Sequence, residues 1–128
     1  MQPAAWEHAL DTHSLGRRFE DAAAAWLEAR GWRVVERNVR FQRREIDLIA
    51  RRAGVLAFVE VKGRRGAGYG RPQEAVTAHK RREIETVARW WIARHGDPEL
   101  DYRFDVVAVD QRADGALVID HLEDAWRP

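Results

Sequence analysis

Two carboxylates and an ammonium lie in two runs of the sequence that otherwise read as buried strands. Asp47 lies in REIDLIA (44–50), and Glu60 and Lys62 lie in VLAFVEVKGRR (55–65). Mg²⁺ takes oxygen ligands and commonly binds one or two carboxylates together with a substrate phosphate. An ammonium beside them could hold an attacking water or stabilise charge that builds on the phosphate. These residue types therefore suggest metal-assisted hydrolysis of a phosphodiester.

The two runs predict a β-hairpin with a four-residue turn, in which Ala50 pairs with Val55. Asp47 then faces Phe58 and is a diagonal neighbour of Glu60, with Cα atoms about 7–8 Å apart. Two carboxylates at that separation could bind one hard cation. On this register, the residues that share the opposite, apolar face are Ile46, Leu48, Ala57, Val59 and Val61.

A simpler interpretation is that Asp47, Glu60 and Lys62 are half-exposed strand residues that form cross-strand ion pairs. Such pairs contribute about 0–1 kcal/mol and imply no function. Composition favours the catalytic interpretation, because the chain has 20 arginines and only two lysines, Lys62 and Lys80. Where arginine is the default cation, a lysine can mark a need for a compact charge whose pKa can shift. From the residues alone, both interpretations stay open.

Positive charge is concentrated around these residues. Residues 37–82 contain 13 Lys or Arg and four acids, a net charge of +9, whereas the rest of the chain has a net charge of −8. Blocks of unlike sign along one chain predict a surface that faces a polyanion and a solvated acidic remainder.

Hydrophobic periodicity predicts one α/β domain over residues 1–128, in which a mixed β-sheet is flanked by helices. The first helix is predicted over 15–30, with Ser14 as its N-cap and Gly31 as its end. A loose N-terminal segment, 1–13, is expected before it.

A second helix is predicted after a basic, glycine-rich loop at 63–72, which we expect to be mobile. This helix begins at Pro72 or is capped by Thr77, and it ends near His95. Asp105 is predicted to form a structural hydrogen bond with Arg103 or with a neighbouring turn. Strands are predicted over 32–39, 45–50, 55–62, 103–109 and 116–119.

Several classes of protein are excluded by what the sequence lacks. The chain has no cysteine, which excludes a disulfide framework, a thiolate nucleophile and a Cys-based zinc site. The first 14 residues contain no basic stretch followed by an apolar one, so no signal peptide is predicted. No apolar run approaches the roughly 18 residues that cross a bilayer. We therefore expect a soluble, cytoplasmic protein with no membrane partner.

Four segments of the chain resemble the YraN family of small bacterial proteins. They are GRRFEDAAAAWLEARGWRVVERNVR, REIDLIA, FVEVKGRR and YRFDVVAVD, and the resemblance spans residues 15–125. Asp47 followed by Glu60-Val61-Lys62 also resembles the core of the PD-(D/E)XK nucleases, which have the restriction-endonuclease-like fold. The YraN family is similar in turn to the archaeal Holliday-junction resolvases.

The resemblance implies a restriction-endonuclease-like fold and a divalent-metal-dependent nuclease with one or two Mg²⁺ or Mn²⁺ ions per site. Asp47, Glu60 and the Val61 carbonyl would be metal ligands, and Lys62 would be the catalytic lysine. The resemblance also implies a catalytic role for Glu20 on the first helix. From the residues alone, Glu20 either leans toward the sheet from the border of the apolar stripe or is an ordinary surface acid.

The sequence departs from the family pattern beside these residues. Where the family usually has Gly before Glu, this chain has Phe19 and Arg44, and Ile46 replaces the proline that names the superfamily motif. A bulky residue in place of Gly is expected to alter the approach of the backbone near the metal. Arg44 is expected either to contact the scissile strand or to compete for a carboxylate.

Lys80 lies within the apolar stripe of the second helix. It either snorkels past its neighbours, which is the interpretation we prefer from the sequence, or points at something anionic near the sheet. The family resemblance also implies a lysine at this position.

Basic residues around the acids are predicted to contact nucleic-acid phosphates, which gives affinity without base specificity and a steep salt dependence. The expected partner is DNA, and the resemblance extends this to branched DNA. A symmetric branched substrate would favour a C2 homodimer. The alternative function is a non-catalytic nucleic-acid-binding module of the same fold. The predicted contact residues are Arg44, Arg64, Arg65, Arg71, Lys80, Arg81 and Arg82.

Overall fold

The computed structural model describes residues 5–66 and 76–128. Within these ranges, a five-stranded mixed sheet is flanked by two helices, which confirms the predicted α/β class. The elements are α1 (Ala5–Ala29), β1 (Arg33–Phe41), β2 (Arg44–Arg52), β3 (Val55–Arg65), α2 (Ala78–His95), β4 (Asp101–Gln111) and β5 (Leu117–Trp126).

The strands lie in the sheet in chain order, β1-β2-β3-β4-β5. Only the β3–β4 pair is parallel within this described sheet, and the other neighbours are antiparallel. Parallel neighbours need a long crossover, and α2 lies in the segment that connects them.

Each helix covers one face of the sheet with residues spaced three or four positions apart. The middle of β4 is buried continuously from residue 104 to 109, as expected for a strand covered on both faces. The buried helical residues are Phe19, Ala23, Ala24 and Leu27 in α1, and Ile84, Val87, Ala88 and Trp91 in α2.

The ends of α1 and α2 can be compared with the caps predicted from the sequence. Thr77 is the N-cap of α2, because its Oγ accepts a hydrogen bond from Lys80 N at 3.1 Å, and Gly96 follows the last turn as predicted. The predicted start of α1 at Leu15 with Ser14 as its cap is wrong, since the helix begins at Ala5. The residues before Ser14 contain no proline or glycine after position 3, so nothing in the chain interrupts the helix there.

Most strands are longer than predicted. β3 continues through 63–65, which the sequence assigned to the loop, and β5 extends to Trp126. Residues 67–72 of the predicted loop, including Arg71, lie outside the described residues.

The register of the central hairpin differs from the prediction. Arg52 pairs with Val55 around a two-residue turn, and Ala53 in that turn has φ 52°. The predicted four-residue turn is therefore wrong, and Phe58 faces Ile49, not Asp47. The shift is two residues, so most side chains keep their predicted face.

The sheet forks at Asp47. Pairing between β2 and β3 ends at Leu48 opposite Val59, although β2 remains paired with β1 and β3 with β4 beyond this point. Across β1, Asn38 has φ 53° where it would face Asp47. Because the strands are irregular here, Ile46 packs on the α2 side, and its prediction on the same face as Leu48 is wrong.

At the opposite edge of the sheet, Asp105 ties β4 to β5. Its fully buried carboxylate accepts hydrogen bonds from Arg103 Nε (2.9 Å) and Nη2 (2.9 Å) and from Asp124 N (3.0 Å), and it lies 2.7 Å from His121 Nε2. The predicted bond with Arg103 is confirmed. Burial acts to raise the pKa of Asp105, but the bonds from His121, Arg103 and Asp124 outweigh it and lower that pKa.

We expect Asp105→Ala to lower the free energy of unfolding by about 3–5 kcal/mol, because Arg103 and the buried His121 both lose the carboxylate that they contact. Urea unfolding at pH 7 measures this loss. The wild-type contribution should be present above pH 3.8, the ordinary pKa of the group, and should fade as the pH falls below it, because the folded-state pKa is lower. The matched control is Asp120→Ala, an exposed position of β5, which should change stability by less than about 0.5 kcal/mol. Equal losses in the two variants would contradict the role of Asp105.

Candidate active site

Asp47 bridges the two strands that separate at the fork. Its Oδ2 accepts a hydrogen bond from the Val61 backbone N–H at 2.8 Å. This N–H lies beyond the end of the β2–β3 ladder, so the side chain satisfies a donor that would otherwise lack a strand partner. The bond fixes the Asp47 carboxylate against β3, beside Glu60 and Lys62.

Glu60 is buried on β3, with 5% of its surface exposed. None of the residues that the structure describes donates a hydrogen bond to its Oε2. Burial, followed by the nearby negative charge of Asp47, raises the pKa of Glu60 to about 8. Burial also raises the pKa of Asp47, although the hydrogen bond from Val61 opposes this. At neutral pH the isolated site therefore holds a proton that an ordinary pair of acids would have lost.

Two ammonium groups face the acids from different elements. Lys62 Nζ lies 3.8 Å from Glu60 Oε1. Lys80, half-buried in the first turn of α2, lies one turn before the fully buried Ile84, and its charge lowers the pKa of both Asp47 and Glu60. Lys80 thus lies near enough to the acids to influence their pKa values, which leaves both of its interpretations open.

Further acids approach from the α1 side of the fork. Carboxylate oxygens of Glu20, Glu45 and Asp47 lie within 4.8 Å of one another. Glu20 leans toward the sheet, and burial and the charge of Asp47 raise its pKa, while Arg37, at 3.8 Å, lowers it. In the orientation that satisfies both ends of its amide, Asn38 donates to Glu20 Oε1 at 3.0 Å and Glu45 Oε1 at 2.8 Å.

Glu45 and Asn38 were not among the residues that the sequence singled out. Glu45 lies two positions before Asp47 on a predicted strand, which places the two on one face and could have indicated it. Asn38 is of a residue type that tolerates positive φ, but the position of such a residue within a strand could not be read from its type.

The donor set fits a hard divalent cation. The side chains that surround Asp47 offer only oxygen ligands, which Mg²⁺ and Mn²⁺ accept. The unpartnered, buried Oε2 of Glu60 is the strongest indication, since a buried carboxylate oxygen without a donor is costly unless something else neutralises it. The Val61 carbonyl remains a predicted ligand.

The predicted phosphate contacts have different surroundings. Arg64 donates to both oxygens of Asp110, at 2.7 and 2.9 Å, and its guanidinium is largely buried. Arg81 donates to the Val76 carbonyl at 3.1 Å and lies over the Trp126 ring. These two side chains have structural roles within the chain.

Three other basic positions lie at or near the surface. Arg65 and Arg82 are exposed. Arg44 donates to Gln42 Oε1 at 2.6 Å, and its partner is thus an amide and not one of the site carboxylates. Phe19 is buried in the α1-side core, so it does not occupy the space between the acids. No helix within the described residues is long and apolar enough to span a membrane.

Comparison with known proteins places these residues in a family. The family model described as "Uncharacterised protein family UPF0102" matches residues 19–109, a range that contains every acid and lysine of the site. The chain belongs to the UPF0102 family. The resemblance to YraN proteins is confirmed at this level.

UPF0102 proteins from distant bacteria resemble the chain over most of their length. The relative from Symbiobacterium thermophilum is 49% identical over 112 residues, which cover 88% of this chain and 95% of the relative. The Geobacter sulfurreducens protein is 46% identical, with 88% of each chain covered. The Nocardia farcinica protein is 47% identical, with 88% of this chain and 89% of the relative covered.

We expect Glu60→Gln to stabilise the metal-free protein at alkaline pH. At pH 4.5, the ordinary pKa of the group, Glu60 is protonated in the folded state and about half ionised in the unfolded state, so the change should have only a small effect. Between pH 4.5 and 8 the unfolded state ionises first, which lowers the stability of the wild type but not of the glutamine variant. The variant should therefore gain roughly 2–4 kcal/mol by pH 8.5.

Urea unfolding in EDTA at pH 4.5 and 8.5 measures this difference. Glu28→Gln, at an exposed position of α1, is the matched control and should differ from the wild type by less than about 0.5 kcal/mol at both pH values. If Glu60→Gln is no more stable than the wild type at pH 8.5, ionisation of Glu60 does not destabilise the folded protein and its pKa is not raised.

Proposed function

We propose that this UPF0102 protein is a divalent-metal-dependent nuclease that hydrolyses phosphodiester bonds in DNA, including branched DNA, on a restriction-endonuclease-like fold. The observation that carries the proposal is the buried Glu60 Oε2 beside Asp47, which lacks a donor among the described residues. Either the proton that the acid pair holds, which Glu60 can share with Asp47, or a divalent cation can satisfy that oxygen, and the oxygen ligands around it fit the cation.

Asp47 and Glu60 would hold the ion, with the Val61 carbonyl as a further ligand, and Glu20 would assist from α1. A bound Mg²⁺ or Mn²⁺ would supply Lewis-acid chemistry, neutralising charge on the phosphate and lowering the pKa of water. The Asp47 carboxylate is already fixed by the Val61 N–H, so little rearrangement of that ligand is needed on binding.

Lys62 would orient the attacking water or donate to a phosphoryl oxygen as negative charge builds there. Its ammonium lies beside Glu60 and is about one-third exposed, so it can reach a substrate at the surface. Lys80 lowers the pKa of the same acids from α2 and would contact the same phosphate.

The exposed arginines, Arg65 and Arg82, would contact the DNA backbone outside the site, and Arg44 and Arg71 are proposed to add to this surface. The preference for branched DNA rests on the family resemblance. A homodimer would place two such sites on opposed strands of a symmetric junction.

A non-catalytic DNA-binding module is the second candidate function. It is favoured by one observation: Lys62 and Lys80 already oppose the charges of Asp47 and Glu60 without a metal. In that case the acids and lysines would form a buried ion network, and the basic surface would bind DNA without cutting it.

We expect the wild-type protein to cut end-labelled four-way, flap or single-stranded DNA in Mg²⁺ or Mn²⁺. Lys62→Ala should lower the rate by roughly 100-fold or more, because it removes the cation that stabilises developing charge. DNA affinity should change little. Cleavage and gel-shift assays across a salt series measure the two effects separately.

Arg33→Ala is the control for lost positive charge, since Arg33 pairs with Arg51 at the far end of β2 from Asp47. It should cut at the wild-type rate. If neither wild type nor Lys62→Ala cuts DNA while both bind it with a steep salt dependence, the nuclease proposal is wrong and the binding module replaces it.

We expect Mn²⁺ binding to release a proton and to strengthen with pH. The pKa of Glu60 is about 8, so below pH 8 the cation must displace the proton that the acid pair holds. Apparent affinity should rise about tenfold per pH unit for each proton released and should level off near pH 8. Calorimetry at pH 6–9 in buffers of different ionisation enthalpy measures both the affinity and the proton count.

Glu60→Gln is the matched variant, because it keeps the shape of the side chain but cannot hold that proton. Its weaker Mn²⁺ binding should show a smaller pH dependence. A wild-type affinity that is constant from pH 6 to 8 would contradict the proposed ligand.

A further inference from the structure

Phe19 and Gly63 are in unusually close contact. A Cβ atom at Gly63 would lie 1.8 Å from Phe19 Cδ2 and 2.4 Å from Cε2, whereas real Cβ contacts lie above 3.0 Å. The ring therefore occupies the space of the missing side chain. Phe19 is 7% exposed and belongs to the α1-side core. The contact requires glycine at position 63 for reasons of space, since this residue is not one of those with positive φ.

The strand end that carries this glycine has few other supports. Among the described residues, β3 beyond Val59 no longer pairs with β2 and pairs with β4, where Gly63 faces Val109. The backbone cannot retreat from the ring without breaking that pairing. Lys62 is the adjacent residue, so the position of its ammonium depends on where this segment lies.

On the α1 side of the contact, Phe19 is adjacent in sequence to an acid of the site. Phe19 precedes Glu20, whose carboxylate lies within 4.8 Å of that of Asp47. The ring thus joins the helix that supplies Glu20 to the strand that supplies Lys62. Glu20 lies in α1 and Lys62 lies in β3. The residues next to them, Phe19 and Gly63, are in van der Waals contact.

We infer that Phe19 is a positioning residue, which seats α1 on the backbone of Gly63 and thereby sets the separation between Glu20 and the Asp47–Lys62 side of the site. The inference rests on the proposed function for its catalytic consequence.

Gly63→Ala and Phe19→Ala test this inference, because each should impair the site alone and the two should compensate for each other when combined. Gly63→Ala forces the ring away by more than an ångström, because 1.8 Å must become at least 3.0 Å. It should lower kcat by roughly 10–100-fold and weaken Mn²⁺ binding by about tenfold, as expected when supporting residues misplace a ligand. Phe19→Ala should also lower kcat and weaken Mn²⁺ binding, because α1 loses the contact between the ring and Gly63. Phe19→Ala/Gly63→Ala should lie closer to the wild type than either single variant.

Matched controls separate position from stability. Gly54→Ala and Gly16→Ala add a methyl group that meets nothing within 4 Å, and both should keep the wild-type kcat and Mn²⁺ affinity. Phe104→Leu perturbs an aromatic of the α2-side core and should lower the free energy of unfolding while leaving kcat of the folded protein unchanged.

A crystal structure of Gly63→Ala gives a readout that does not depend on activity. The distance between the Glu20 and Asp47 carboxylates should be larger than in the wild type, and it should return in the double variant. If the wild type does not cut DNA, the nuclease proposal fails, but this distance still tests the positioning role. An unchanged distance in Gly63→Ala, or a double variant that is no better than the worse single variant, would overturn the inference.

Discussion

The hydrogen bond from Val61 N–H to the Asp47 carboxylate is the interaction on which the rest of the site depends. Two strands of a sheet normally stay together because their backbone groups pair, yet β2 and β3 part after Leu48 and Val59. At the fork, the Asp47 side chain accepts a hydrogen bond from the Val61 N–H, which lies beyond the last backbone pair between β2 and β3. The opening created in this way lets α1 and α2, on opposite faces, both direct polar side chains at one point.

That opening has an electrostatic cost, which is typical of functional sites. Burial raises the pKa of Asp47, Glu60 and Glu20, and like charges nearby raise them further. Lys62 and Lys80 offset part of this cost but leave one buried oxygen of Glu60 without a donor among the described residues. By contrast, the buried Asp105 is surrounded by donors and has a lowered pKa. Two buried acids in one sheet thus differ: Asp105 is surrounded by donors, whereas Glu60 has a raised pKa and an oxygen that no described residue donates to.

Contacts of single residues around the fork hold the acidic side chains and Lys62 in place. The positive φ of Asn38 turns β1 at the same level as Asp47, and the orientation of its amide joins Glu20 to Glu45. The Phe19 ring fills the space above Gly63 and connects α1 to the part of β3 that no longer pairs with β2. None of these features is a regular element. They depend on single residues whose partners lie far away in the chain.

The sequence by itself determined what local physics controls. Alternating apolar residues predicted the strands at Asp47 and Glu60 and the end of α2 near His95, because periodicity acts over a few positions, while Thr77 stayed one of two possible starts of that helix. The helix start at Ala5 and the two-residue turn at Ala53 were missed, since alanine carries no distinct signal for either. Only the tertiary structure decided that Ile46 turns to the α2 side, that Lys80 lies near the acids, and that Glu45 joins Glu20 beside Asp47. It also directed Arg64 to Asp110, 46 positions away. Such contacts depend on where two distant segments lie in space, which no spacing along the chain encodes.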